Sequence, residues 1–123
     1  MLQIQNWHDD VFGEIITNYD GQQYELLIPK RHGATFMINR LARYFTSIGK
    51  DVRVIREHGL PTYYPFSHKK PLTKDTVLLI DGIIKWDPSY PMQKAGGTLI
   101  RVWNQIEEVQ HFRPFKIIRK MNI

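Results

Sequence analysis

Apolar residues recur at helical spacing in one stretch of the chain and at strand spacing in several others. Ala34, Met37, Ile38, Leu41, Ala42, Phe45 and Ile48 fall at i, i+3, i+4, i+7, i+8, i+11 and i+14. That stripe predicts an amphipathic helix over about 34–48. Gly49 stands where a left-handed C-cap belongs, and Lys50 follows near the negative helix end. Asp51–Arg56 then alternates as a short strand with Val52 and Val54 on one face.

Two Asp-Gly dipeptides punctuate β-prone runs. Asp20-Gly21 lies between 14–19 and 22–28, and Asp81-Gly82 between 77–80 and 83–86. Both central residues of a type I′ turn need positive φ, which Asp and Gly tolerate, so each dipeptide predicts a tight hairpin. The first sets Ile15 opposite Leu26; the second pairs Ile80 with Ile83, Leu79 with Ile84 and Val77 with Trp86. Apart from Lys85, both faces of the second hairpin are apolar, which puts it in the centre of a sheet or under a helix.

Pro61, Pro65 and Pro71 make 57–75 an irregular connection, and Pro88, Pro91 and Gly96-Gly97 do the same for 87–97. Beyond it, Leu99, Val102, Trp103, Ile106 and Val109 fit a helix over about 98–112 with Thr98 as N-cap, although its β-branched start also reads as a strand. Pro114 ends that element, and 115–119 reads as a final strand. The expected fold is α+β: a mostly antiparallel sheet built from the two Asp-Gly hairpins plus further strands, with helix 34–48 and a second helix 98–112 packed on it. Residues 1–123 form a single domain, without repeats, low-complexity tracts or a domain linker.

Composition narrows the classes. The chain is 42% apolar and 24% charged, the balance of a globular domain and not of a disordered tail. With no cysteine, it has no disulfide, thiolate metal site or cysteine nucleophile. The longest apolar runs are strand-sized, and the N-terminal residues do not read as a signal peptide; the expected location is cytoplasmic, in a host cytoplasm or virion if the protein is viral. The net charge is +5, unevenly spread. Through residue 28 the charges are all acidic (Asp9, Asp10, Glu14, Asp20, Glu25), whereas 30–70 hold nine bases against Asp51 and Glu57. Such a two-toned chain suits two contact faces of opposite sign, or a surface on which folding mixes the charges.

Catalytic patterns are not found. The five histidines form no HxxxH or HExxH pair, and His8-Asp9-Asp10 reads as a solvated cluster before it reads as a metal site. Gly49-Lys50-Asp51 does not make a phosphate loop, since Tyr44 occupies the position of its first glycine and no helix follows. Asp81 and Lys85 are accounted for by the second hairpin. No catalytic residue, metal or cofactor is assigned, and a non-enzymatic role follows.

One stretch has a family likeness. Leu41-Ala42-Arg43-Tyr44-Phe45, Gly49-Lys50-Asp51-Val52-Arg53-Val54-Ile55 and Gly59-Leu60-Pro61 resemble the opening βα unit of nucleotide-sugar glycosyltransferases, over about a quarter of the chain. The chain is shorter than the two Rossmann-like domains that resemblance implies, and the expected hairpin before it departs from a parallel sheet. No residue role is carried over.

Three features could bind a macromolecule. The loop 61–71 sets Tyr63, Tyr64 and Phe66 beside His68, Lys69 and Lys70, so that bases could stack and phosphates pair, or a protein interface could anchor; alternatively the aromatics fold onto the core. Arg40 and Arg43, with Phe36 and Ser47, lie opposite the core stripe of the first helix and together with Lys30 and Arg31 could form a basic groove wall, or simply a solvated face. The C-terminal strand could extend a neighbour's sheet, or its charges could protect an edge. The expected function is that of a small assembly protein, a structural or accessory subunit of a larger viral or phage-type complex, with protein subunits as partners in a homo-oligomer or larger assembly and no membrane. The alternative is a nucleic-acid-binding accessory protein.

Overall fold

A computed structural model describes residues 6–28, 33–56, 71–82, 88–103 and 116–122. In chain order these form α1 (Asn6–Asn18), β1 (Gln22–Leu27), α2 (Ala34–Ser47), β2 (Asp51–Arg56), β3 (Thr76–Asp81), α3 (Ser89–Ala95), β4 (Thr98–Trp103) and β5 (Lys116–Asn122). The strands make one sheet in the order β2-β3-β4-β1-β5. Its first four strands are all parallel, and β5 alone runs antiparallel, along β1. The mostly antiparallel sheet expected from the hairpins is therefore incorrect.

Each discrepancy has a local cause. Residues 14–18 belong to α1, not to a strand. Val11 and Ile15, one turn apart, are fully buried, and Phe12, Ile16 and Tyr19 pack beside them. Burial of this stripe outweighs the β preference of Ile15-Ile16-Thr17. The Thr17 hydroxyl is spent within the helix, donating to the Gly13 carbonyl at 2.7 Å. Asp20-Gly21 thus turns a helix into a strand, with Gly21 at φ 68°. At the second dipeptide, β3 already has β2 on one side and β4 on the other, so no sheet position is left for a hairpin partner. Residues 83–86, the expected second strand of that hairpin, lie outside the described residues.

The helix expected from residue 98 is also overturned over its first half, where Thr98–Trp103 is β4; the remainder, 104–112, is outside the described residues. β-Branched side chains fit a buried pleat better than a helix. A helix does occupy part of the stretch expected to be irregular. Pro88 sits at the N-cap of α3 and Pro91 in its first turn, where no intrahelical N–H bond is lost, and Gly96 closes it at φ 75°.

Other expectations hold. α2 runs Ala34–Ser47 with Met37, Ile38, Leu41 and Phe45 buried, and Gly49 follows at φ 84°, whereas Ile48, expected at the end of the core stripe, is the C-cap and is exposed. β2 spans Asp51–Arg56, with Val52 and Val54 packed on one core. Every residue of β3 is buried, as a central parallel strand requires.

The two sheet faces carry different cores. α1 and α2 cover one face, against Tyr24, Leu26, Val77, Leu79, Ile100 and Val102. The other face holds a smaller cluster in which Met92 of α3 meets Ile55, Leu78, Ile80 and Leu99. Helices on both faces are what lets four parallel strands be buried. Gly97 is fitted tightly between α3 and β4: a Cβ there would lie 2.8 Å from both Met92 Cε and the Thr76 carbonyl oxygen. No helix among the described residues is long and apolar enough to cross a membrane.

Candidate functional site

In a parallel sheet the strands end together, and the crevice beyond their carboxyl ends is the usual ligand position. Here the end of β3 carries Asp81, the end of β2 carries Arg56, and the chain leaving β1 enters α2 through Gly33. Along β2 and β3, alternation puts Arg56 and Asp81 on the face that α2 covers, and the contacts agree. The Thr35 hydroxyl, on the second residue of α2, donates to Asp81 Oδ2 at 3.1 Å. Arg56 Nη1 lies 3.2 Å from that same oxygen. Arg56 Nη2 donates to Asn39 Oδ1 at 2.6 Å, one turn further along α2. Three elements distant in sequence therefore converge on one carboxylate. Its side chain is 11% exposed, while that of Arg56 is 42% exposed and still reaches solvent.

Gly33 is the N-cap of α2 at φ 91° and has no side chain with which to cap it. The first-turn N–H groups and the positive end of the helix dipole thus point toward the edge of the sheet where Asp81 and Arg56 stand. A tight glycine recurs at Gly82, buried at φ 104° with its N–H on the Val102 carbonyl at 3.1 Å. The chain is thereby drawn close to β4 immediately after Asp81.

A strand, a glycine-headed helix with a hydroxyl on its second residue, and an aspartate at the end of another strand of the sheet, here one strand removed, are parts that phosphate-binding loops use. The pattern G-x-x-x-x-G-K-[ST], laid on residues 28–35, reads Ile28-Pro29-Lys30-Arg31-His32-Gly33-Ala34-Thr35. It keeps the second glycine and the threonine, and departs at Ile28 and at Ala34, where the lysine would fall. The cations of this stretch, Lys30 and Arg31, precede the glycine instead.

Phosphate loops use the hydroxyl and the aspartate to hold Mg²⁺. The residues present do not fit that ion. Asp81 Oδ2 already faces the Arg56 guanidinium, a positive charge beside the carboxylate, and among the described residues no three His, Cys, Asp or Glu side chains gather as ligands.

Of the binding residues expected from sequence, Arg40 and Arg43 are described. Arg40 Nη1 meets Asp9 Oδ1 at 2.6 Å and its guanidinium carbon lies 4.0 Å from the Phe12 ring centroid, joining α2 to α1. Phe36 stands edge-on to His8 at 5.8 Å on the same side. Arg43 is exposed beside Ala42, Thr46 and Ser47, which line a shallow cavity of about 340 Å³. Lys30, Arg31, Tyr63, Tyr64, Phe66, His68, Lys69 and Lys70 lie outside the described residues. Sequence reasoning missed Gly33, Thr35, Asn39, Arg56 and Asp81 as a group. The legible signals were Gly33-Ala34-Thr35 opening the helix and the apolar run 77–80 ending in an acid.

A second polar group lies on β1 and β4, on the opposite face of the sheet. Trp103 Nε1 donates to Glu25 Oε1 at 3.3 Å, and Arg101 Nη1 is 3.9 Å from that oxygen. Burial and, secondarily, the nearby Glu14 charge push the Tyr24 hydroxyl up to about 12.

No family model, curated protein or solved structure matches the chain.

Proposed function

We propose that the protein binds the phosphate groups of a nucleotide or polyphosphate at the carboxyl end of β2 and β3. The observation that carries this reading is the Thr35–Asp81 contact, which joins the glycine-headed start of α2 to the end of the buried parallel strand β3. Backbone N–H groups, a helix dipole and a half-exposed arginine there offer three kinds of anion partner.

We read the role as one of binding, with Asp81 Oδ2 held by the Thr35 hydroxyl and the Arg56 guanidinium.

The test is a titration of the intrinsic tryptophan fluorescence with ATP, pyrophosphate and adenosine. ATP and pyrophosphate are expected to bind, adenosine to bind far more weakly, and Arg43→Ala to leave all three unchanged. Equal binding of adenosine and ATP, or binding of none, would overturn the reading.

A second reading, docking into a larger assembly, has one observation of its own. The outward side of α2 combines the shallow cavity beside Arg43 with Ile48, which is 43% exposed. Light scattering of Ile48→Asp against the parent chain tests it: a defined oligomer that falls apart supports docking there, and a monomer in both cases removes it.

A further inference from the structure

Asp81 occupies the place where a phosphate site of this layout keeps its metal ion, yet its surroundings are those of an arginine site. Mg²⁺ demands about six oxygens at roughly 2.0–2.1 Å. One oxygen of Asp81, Oδ2, accepts the Thr35 hydroxyl at 3.1 Å and the Arg56 guanidinium at 3.2 Å. A metal there would meet a fixed positive charge. Arg56 is also not a loosely placed surface cation. Its second terminal nitrogen is tied to Asn39 at 2.6 Å, so β2, β3 and α2 together set the plane of the guanidinium.

We propose that Arg56 takes the part of the metal, so that the site binds phosphate without a divalent cation. This rests on the phosphate-binding reading above. A guanidinium carries five N–H donors in a planar fork. Two are engaged by Asp81 and Asn39, and the 42% exposure of the side chain leaves it able to present others to a ligand beside the start of α2. Asp81 is then a positioning residue: it orients Arg56, while its own charge opposes the phosphate.

That division of labour has a signature that a metal site cannot share. Asp81→Asn retains an oxygen acceptor for Arg56 and removes the negative charge. At a metal site the same change deletes a ligand and abolishes metal-dependent binding. In an arginine site it leaves phosphate binding as tight as before, or tighter.

The experiment is calorimetric titration of pyrophosphate into the full chain, once in EDTA and once in excess Mg²⁺, for the parent protein, Arg56→Met, Arg56→Lys and Asp81→Asn. The expected result is binding in EDTA that Mg²⁺ does not strengthen. Arg56→Met should weaken it by about tenfold or more and Arg56→Lys by several-fold, as loss of a charged fork predicts. Asp81→Asn should bind no more weakly than the parent. Binding that appears only with Mg²⁺ and disappears in Asp81→Asn would overturn the proposal while leaving the phosphate reading intact. Absence of pyrophosphate binding in both buffers would sink the phosphate reading itself, and this inference with it. If Arg56→Met fails to fold, Arg56→Lys and Asp81→Asn still decide the question.

Discussion

Removing the Asp81 side chain should loosen the attachment of α2 to the sheet by an amount that can be worked out contact by contact. The Thr35 hydrogen bond reaches a mostly buried carboxylate, but at 3.1 Å it is long for a hydroxyl-to-carboxylate bond. A value of about 1–1.5 kcal/mol, the low end for a charged hydrogen bond, is appropriate. The Arg56 ion pair is 3.2 Å long with its arginine 42% exposed, so solvent screening reduces it to about 0.5–1 kcal/mol. Asp81→Ala should therefore cost about 2 kcal/mol in a urea unfolding curve. For a chain of 123 residues that corresponds to about 8 °C in the melting midpoint. Double-mutant cycles separate the parts. The coupling of Asp81→Ala with Thr35→Val should persist in high salt, because that contact is shielded. The coupling with Arg56→Met should shrink toward zero as salt rises. Couplings of both pairs within about 0.3 kcal/mol of zero at low salt would refute the reasoning, since Asp81 would then not join the three elements.

Three further outcomes follow from the same packing. Gly97→Ala should destabilise by about 1–3 kcal/mol, because the added methyl must displace Met92 and the backbone at Thr76; an unchanged urea midpoint would contradict that fit. Arg40→Ala removes the Asp9 bridge and the stacking on Phe12, both part-exposed, and should cost about 1 kcal/mol, with little salt dependence in the stacking component; a change below about 0.3 kcal/mol would show that α1 does not need this tie. Tyr24 titrates near 10 when unfolded and near 12 when folded, so the folded state holds its proton more tightly. The associated stability is fully present below pH 10 and is lost as pH rises from about 10 to about 12, to a total of about 2–3 kcal/mol. Tyr24→Phe should flatten that part of the alkaline unfolding profile, and an identical slope in the two proteins would count against the shift.

Elements with a long, regular stripe were legible from sequence, as α2 shows: seven apolar residues at helical spacing leave one reading. β3 was legible as a buried strand because both of its faces are apolar. What that run does not encode is its partner. Antiparallel hairpins announce themselves through the turn that joins them, whereas parallel pairing links segments separated by a crossover and leaves no adjacent sign. The Asp-Gly dipeptides were therefore read as hairpins, when Gly21 turns a helix into a strand and Gly82 presses the chain against β4. The prolines hid α3 for a related reason, since they exclude a helix interior but not a helix start. The candidate site was the least legible part. Thr35 and Asp81 stand 46 positions apart, and their proximity depends on the parallel order of the sheet. With alanine where a phosphate loop carries lysine, the local pattern around Gly33 is incomplete, and the adjacent glycine and lysine that do occur, Gly49-Lys50, follow the other end of the same helix.

The most direct test of the phosphate site is a backbone amide map of the ¹⁵N-labelled full chain titrated with pyrophosphate. The account predicts saturable shifts centred on the amides of Gly33, Ala34 and Thr35, of Arg56 and of Gly82, with the Glu25–Arg101–Trp103 face undisturbed. Shifts confined to that opposite face, or spread evenly over the surface lysines without saturation, would contradict it.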